Sequence, residues 1–152
     1  MAFIATVALC VLVWIWQRCP SDPGTILRVE CSYEQGNVTD DHSWKLDLDS
    51  TGNGTLTVDP GFHEKRLPLS APHRIAELQN AVDENRLCAL PSQIGGRVVD
   101  SSSRRMKIQT TTFEKTITMD YVQPRDVNND VLYARRLWDV IRASVDDAKA
   151  GK

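Results

Sequence analysis

An α+β fold built on a mainly antiparallel sheet is what this chain predicts, and three observations carry the prediction. Several short runs alternate apolar and polar residues, two longer segments carry an apolar stripe at helical spacing, and turn residues separate the runs. The resulting order is ββββ-α-ββ-α, with strands grouped in hairpins rather than alternating with helices. That grouping favours helices packed on one face of the sheet. An N-terminal hydrophobic helix is expected to precede the domain.

The hydrophobic segment comes first in the chain. Residues 2–16 are apolar except for Thr6 and carry no charge, whereas all 18 basic and 20 acidic residues lie beyond them. A helix needs about 20 apolar residues to span a bilayer, with a lower limit near 17. Counting Met1 and Gln17, the segment just reaches that limit. Phe3 lies near its start, and Trp14 and Trp16 near its end, where aromatic rings favour the membrane–water interface. Residues 1–18 are therefore read as a membrane anchor. The competing reading is a signal peptide cleaved after Ser21, although no Lys or Arg precedes Arg18. Arg18 and Arg28 pull the domain weakly towards the cytoplasm. Short N-terminal hydrophobic segments, in contrast, usually export the domain behind them, so an extracytoplasmic domain is expected.

Residues 19–25, with two prolines and a glycine, form a linker, and residues 26–148 a single domain. Leu27, Val29, Cys31 and Tyr33 alternate with charged and polar neighbours and predict the first strand. Trp44, Leu46 and Leu48 predict the second, and Leu56 and Val58 the third, joined through the hairpin signal Ser50 to Gly54. His63 to Leu69 reads as an edge strand because Pro68 cannot donate to a ladder. Ser70 is placed as the N-cap of a helix with Pro72 in its first turn and a stripe of Ile75, Leu78 and Val82. Two further strands centre on Met106–Ile108 and Ile117–Met119, with a turn near residues 113–115 that shows no strong turn chemistry. The last helix runs from about Asn129 to Ala148, its buried stripe being Ala134, Leu137, Trp138, Ile141 and Val145.

Net charge −2 and mixed charges exclude a strongly basic nucleic-acid binder, and the single apolar segment excludes a multi-span membrane protein. The tract Asp47-Leu48-Asp49-Ser50-Thr51-Gly52 imitates the opening of a calcium loop. The twelfth position, which should be Glu, is Val58, and hairpin chemistry is the better account. His42, His63 and His73 are widely spaced, and His63-Glu64 lacks the second histidine of a zinc motif. No cofactor, metal or catalytic residue is therefore assigned. Asp100 to Arg105 reads as a solvated loop with some capacity for an anion.

Of four cysteines, Cys10 lies in the apolar segment and Cys19 at its mouth, so neither is expected to staple the domain. Cys31 and Cys88 remain, and in an extracytoplasmic domain a Cys31–Cys88 disulfide is the expected pairing. Its long loop would contribute about 4 kcal/mol in the chain-entropy account. The alternative is that both are small buried residues.

The succession Trp44 to Asp49, Gly52 to Leu56, then Leu69-Ser70 opening a helix that ends at Leu87 to Pro91, resembles small bacterial exported or membrane-anchored envelope domains of unknown function. The resemblance spans roughly residues 26–145 and implies a β-rich α+β plan and an envelope location. It implies no activity. The expected role is that of a membrane-tethered, non-catalytic domain, binding an envelope protein through a sheet face or edge. A small-ligand or ion-binding module is the alternative, followed by an enzyme whose site assembles only in three dimensions.

Overall fold

The computed structural model describes residues 24–36, 43–60, 63–83, 87–96, 98 and 101–151. The expected N-terminal helix, with Phe3, Trp14 and Trp16, lies outside them, as do Cys10, Cys19, His42 and Asp100.

The chain enters the domain at Gly24 and immediately forms β1 (Ile26–Glu34), the strand on which the sheet is centred. Strands β2 (Trp44–Asp49), β3 (Asn53–Val58) and β4 (Lys65–Ser70) extend it to one side. Helix α1 (Pro72–Asp83) and a 3₁₀ turn (Leu87–Ala89) follow, then β5 (Gln93–Ile94), β6 (Ser103–Thr110) and β7 (Glu114–Met119). A second 3₁₀ turn (Pro124–Asp126) leads into α2 (Asn129–Lys149). Among the described residues the sheet has seven strands in the order β4-β3-β2-β1-β6-β7-β5, all paired antiparallel except β5 with β7. The α+β class and the antiparallel sheet thus agree with the sequence. The two-residue β5 is an addition to the expected order.

Alternation decides which side of each strand is buried. Val29, Cys31 and Tyr33 of β1, Trp44, Leu46 and Leu48 of β2, and Met106 and Ile108 of β6 all face one core, together with the stripes of both helices. Each large aliphatic side chain so buried contributes about 1.5–3 kcal/mol. Three aromatic rings join sheet to helix: Trp44 stacks on Trp138 of α2 at 5.3 Å between centroids, and Tyr33 stacks on Trp44 at 6.1 Å. Ile26 breaks the expected pattern. A register shift between Ile26 and Arg28 turns Ile26 fully inward and leaves Leu27 42% exposed. This bulge corrects the simple alternation that put Leu27 on the buried side.

The hairpin between β2 and β3 is tied by one carboxylate. Asp49 Oδ1 accepts from the backbone N–H of Thr51 at 2.8 Å, the hydroxyl of Thr51 at 2.6 Å and the N–H of Asn53 at 3.1 Å. These bonds, that from the Thr51 hydroxyl foremost, hold the Asp49 carboxyl below its ordinary range. Gly52 turns the chain at φ +81° and its carbonyl accepts from the N–H of Ala71 at 2.8 Å, docking the hairpin on the start of α1. A Cβ on Gly52 would stand 2.7 Å from the backbone of Ala71 and Pro72.

Ser70 is not the N-cap of α1. It is the last residue of β4, paired with Asn53, and its hydroxyl donates to Asn53 Oδ1 at 2.8 Å. Ala71 takes the capping position, its carbonyl accepting from the N–H groups of Arg74 and Ile75. The turn between β6 and β7 does have its own chemistry. Buried Thr110 accepts at Oγ1 from the N–H groups of Phe113 and Thr112, at 3.1 and 3.3 Å. At the C-terminal helix, Asn128 caps α2 by accepting from Val131 N–H at 3.0 Å.

Two contacts fix the helices and the chain entry. Arg74 of α1 donates from Nε and Nη2 to Asp147 Oδ2 of α2, at 3.0 and 2.9 Å, and from Nη1 to Glu77 at 2.9 Å. The amide of Gln79 spans the incoming chain: Oε1 accepts from Ile26 N–H at 2.7 Å and Nε2 donates to Gly24 C=O at 2.9 Å.

The expected Cys31–Cys88 disulfide is not formed. Cys31 is a free, buried thiol, and Cys88 is disulfide-bonded to a partner outside the described residues. The sheet explains why: Cys31 pairs with Met106, which pairs with Ile117 of β7, and Lys115 of β7 donates to the Cys88 carbonyl. Two strand spacings already separate β1 from β7 by about 9.5 Å, whereas bridged Cα atoms lie within about 7 Å. With Cys31 excluded, the sequence leaves Cys10 and Cys19 as candidates, against the expectation that neither staples the domain. Burial pushes the Cys31 thiol far above its ordinary range. Peptide mapping without reduction is expected to find Cys31 unlinked and unreactive to thiol reagents until unfolding. Cys88 is expected joined to a peptide containing Cys10 or Cys19. Recovery of a Cys31–Cys88 peptide would contradict the arrangement.

Tyr133 of α2 donates to the Ala81 carbonyl at 3.4 Å, and desolvation pushes its phenol up to about 12. An unfolded tyrosine ionises near 10. Between those values the unfolded chain holds fewer protons than the folded one, so stability falls as pH rises through this window. Tyr133→Phe is expected to flatten that alkaline fall in pH-dependent urea unfolding while leaving the curve below pH ~9 parallel to the parent.

Candidate functional site: the open face of the sheet

Two helices cover one face of the sheet, and the other face carries the outward residue of every strand. Cross-strand register sorts these residues into rows. One row runs Pro68, Thr55, Asp47, Glu30, Lys107, Thr116, and the next runs Arg66, Thr57, Lys45, Ser32, Arg105, Thr118. Their members from Thr55 to Lys107 and from Arg66 to Arg105 line a cleft of about 600 Å³.

The charges of this face are unevenly matched. Arg28 donates from Nε to Asp47 Oδ1 at 2.9 Å and lies 3.2 Å from Glu30, while Lys107 pairs with Glu114 at 3.1 Å. Hydrogen bonding and charge from Asp47 hold Arg28 more firmly protonated than usual. Arg66 pairs with Glu64 at the margin. Among the described residues, the side chains of Lys45 and Arg105 make no hydrogen bond or ion pair, and both are exposed. The carboxylates of Asp47 and Glu30 are thus committed to Arg28, and the row through Lys45 and Arg105 keeps its positive charge.

The residues singled out in the sequence are scattered by comparison. Asp47 and Asp49 do not form a cation loop: Asp47 holds Arg28 and Asp49 holds its own turn. His63 is exposed, and His73 stands on α1 with Nε2 3.7 Å from Asp147. Among the described residues, no three His, Cys, Asp or Glu side chains gather as a metal site. The tract expected as an anion-binding loop is in part strand β6, and alternation sends its two arginines to opposite faces. Arg105 points into the cleft. Arg104 points inward over the Trp138 ring, its guanidinium carbon 5.9 Å from the centroid and its buried Nε without a hydrogen-bond partner.

A smaller cleft of about 360 Å³ lies between β5, the strand end at Tyr121 and the start of α2. Gly95, Tyr121, Asp126 and Asp130 are on its wall, and Tyr121 is half exposed.

No helix among the described residues is long and apolar enough to cross a membrane. No protein-family model matches the chain, and no curated protein matches it either.

Proposed function

We propose that the chain is a membrane-tethered, non-catalytic extracytoplasmic recognition domain that works through the open face of its sheet. The observation that carries this reading is the division of the sheet. One face is closed by α1 and α2, and the other presents a polar cleft with two cations that no carboxylate among the described residues neutralises. The disulfide at Cys88 supports an oxidising compartment, since such bonds persist outside the cytoplasm. The apolar run from Phe3 to Trp16 supports the tether.

Cell fractionation with protease accessibility tests the reading. The expected result is full-length chain in the membrane fraction, digested when protease is added outside the cytoplasmic membrane. Full-length chain recovered from the soluble cytosol would overturn it.

A further inference from the structure

We infer that the row Arg66–Thr57–Lys45–Ser32–Arg105 is the floor of a binding site for a linear phosphodiester polymer, and this rests on the open face being the working surface. The row crosses five strands, and register alone brings its cations together. Arg66, Lys45 and Arg105 occupy every second strand, so successive cations start about 10 Å apart. Hydroxyls at Thr57 and Ser32 fill the intervening positions.

Charge complementarity selects an anionic partner. Lys45 and Arg105 have no counter-ion among the described residues, and the nearest carboxylates, Asp47 and Glu30, are engaged with Arg28. Arg66 already pairs with Glu64, which makes it the weaker member of the three. The alternation of cation and hydroxyl selects phosphate. A phosphodiester oxygen accepts a charge-assisted bond from the guanidinium or ammonium group, and its second oxygen accepts from the hydroxyl one strand away. The row contains no apolar side chain, so it lacks the aromatic or aliphatic anchors of a protein–protein hot spot. The cleft of about 600 Å³ has room for an extended chain.

Binding is tested with the full-length chain in neutral detergent, with fluorescently labelled poly(glycerol phosphate) as the probe. The expected result is saturable binding that weakens steeply with added salt. The Lys45→Glu/Arg105→Glu variant is expected to lose at least about tenfold in affinity, and Lys45→Gln/Arg105→Gln a smaller part of it. Arg135→Glu, on the exposed side of α2, is expected to bind as the parent does. Circular dichroism establishes that each variant is folded, and the glutamine pair carries the test if the glutamate pair is not. No binding at low salt would overturn the inference, as would equal losses in the Arg135→Glu variant. Equal or tighter binding of poly-glutamate would assign the row to an acidic peptide instead, and preferential binding to phosphatidylglycerol vesicles would assign it to a membrane surface; either result overturns the phosphodiester assignment. Fractionation reads location independently. A membrane-exposed chain that ignores the polymer removes only this inference, and a cytosolic chain removes the tethered reading.

Discussion

Trp44→Ala is expected to lower the unfolding free energy by about 3–5 kcal/mol, read from urea unfolding followed by near-ultraviolet circular dichroism. Trp44 is 1% exposed and sits at the middle of the Tyr33–Trp44–Trp138 stack. Removing it opens a cavity where β2 meets α2, and the surrounding strands, locked by ladders on both sides, relax only in part. A domain of this size holds about 5–15 kcal/mol in total, so the variant retains a minority of folded stability at the lower end of that range. The stacking share is separable: a double-mutant cycle with Trp138 is expected to give a coupling of about 0.5–1.5 kcal/mol. Thr55→Ala, on the open face of β3, is expected to stay within about 0.5 kcal/mol of the parent. Equal losses at Thr55 and Trp44 would show that the stack is not where the stability resides.

Gly54→Ala is expected to cost more still, above about 4 kcal/mol, and to leave little folded chain. Gly54 pairs with Leu48 across the β2–β3 ladder. A Cβ there would overlap the carbonyl oxygen of Asp47 and lie 2.8 Å from its carbonyl carbon. Both atoms are backbone, so no side-chain rotation relieves the overlap, and the strands must part along their ladder. Gly96→Ala is the control, because a Cβ at Gly96 meets nothing within 4 Å. Thermal unfolding of the two variants is expected to separate them widely. A Gly54→Ala protein as stable as Gly96→Ala would contradict the strand pairing described.

Much of the fold was legible because alternation is a local property. Trp44, Leu46 and Leu48 of β2, Ile117 and Met119 of β7, and the stripe of α2 are buried as their spacing requires. Where the sequence misled, a distant partner decided the outcome. Ile26 and Leu27 are both apolar, and only the register shift against β6 buries the first and exposes the second. Ser70 has the chemistry of a cap, yet pairing with Asn53 keeps it in β4. Gln93 and Ile94 are too few to show a period, and their parallel partner is β7, distant in sequence. Cysteine spacing carries no connectivity, and the position of Cys31 on the central strand is what removes it from pairing. The candidate site was half visible. Arg66, Lys45 and Arg105 could each be placed on an outward position by alternation, but their alignment depends on four successive strand registers.

The grip of Gln79 on Gly24 and Ile26 gives the domain a mechanical character. Under the proposed tethering, a pull on the residues before Gly24 is divided between the disulfide at Cys88 and the start of β1. That strand is clasped by β2 on one flank and β6 on the other, so the load is shared by two ladders in shear rather than peeling one edge. Before either ladder is stressed, the pull must part the Gln79 amide from the entering backbone and the Thr111 N–H from the carbonyl of Thr25. The entry point therefore acts as a strain relief for the share of the load that β1 carries, and that share is borne without first unravelling an edge.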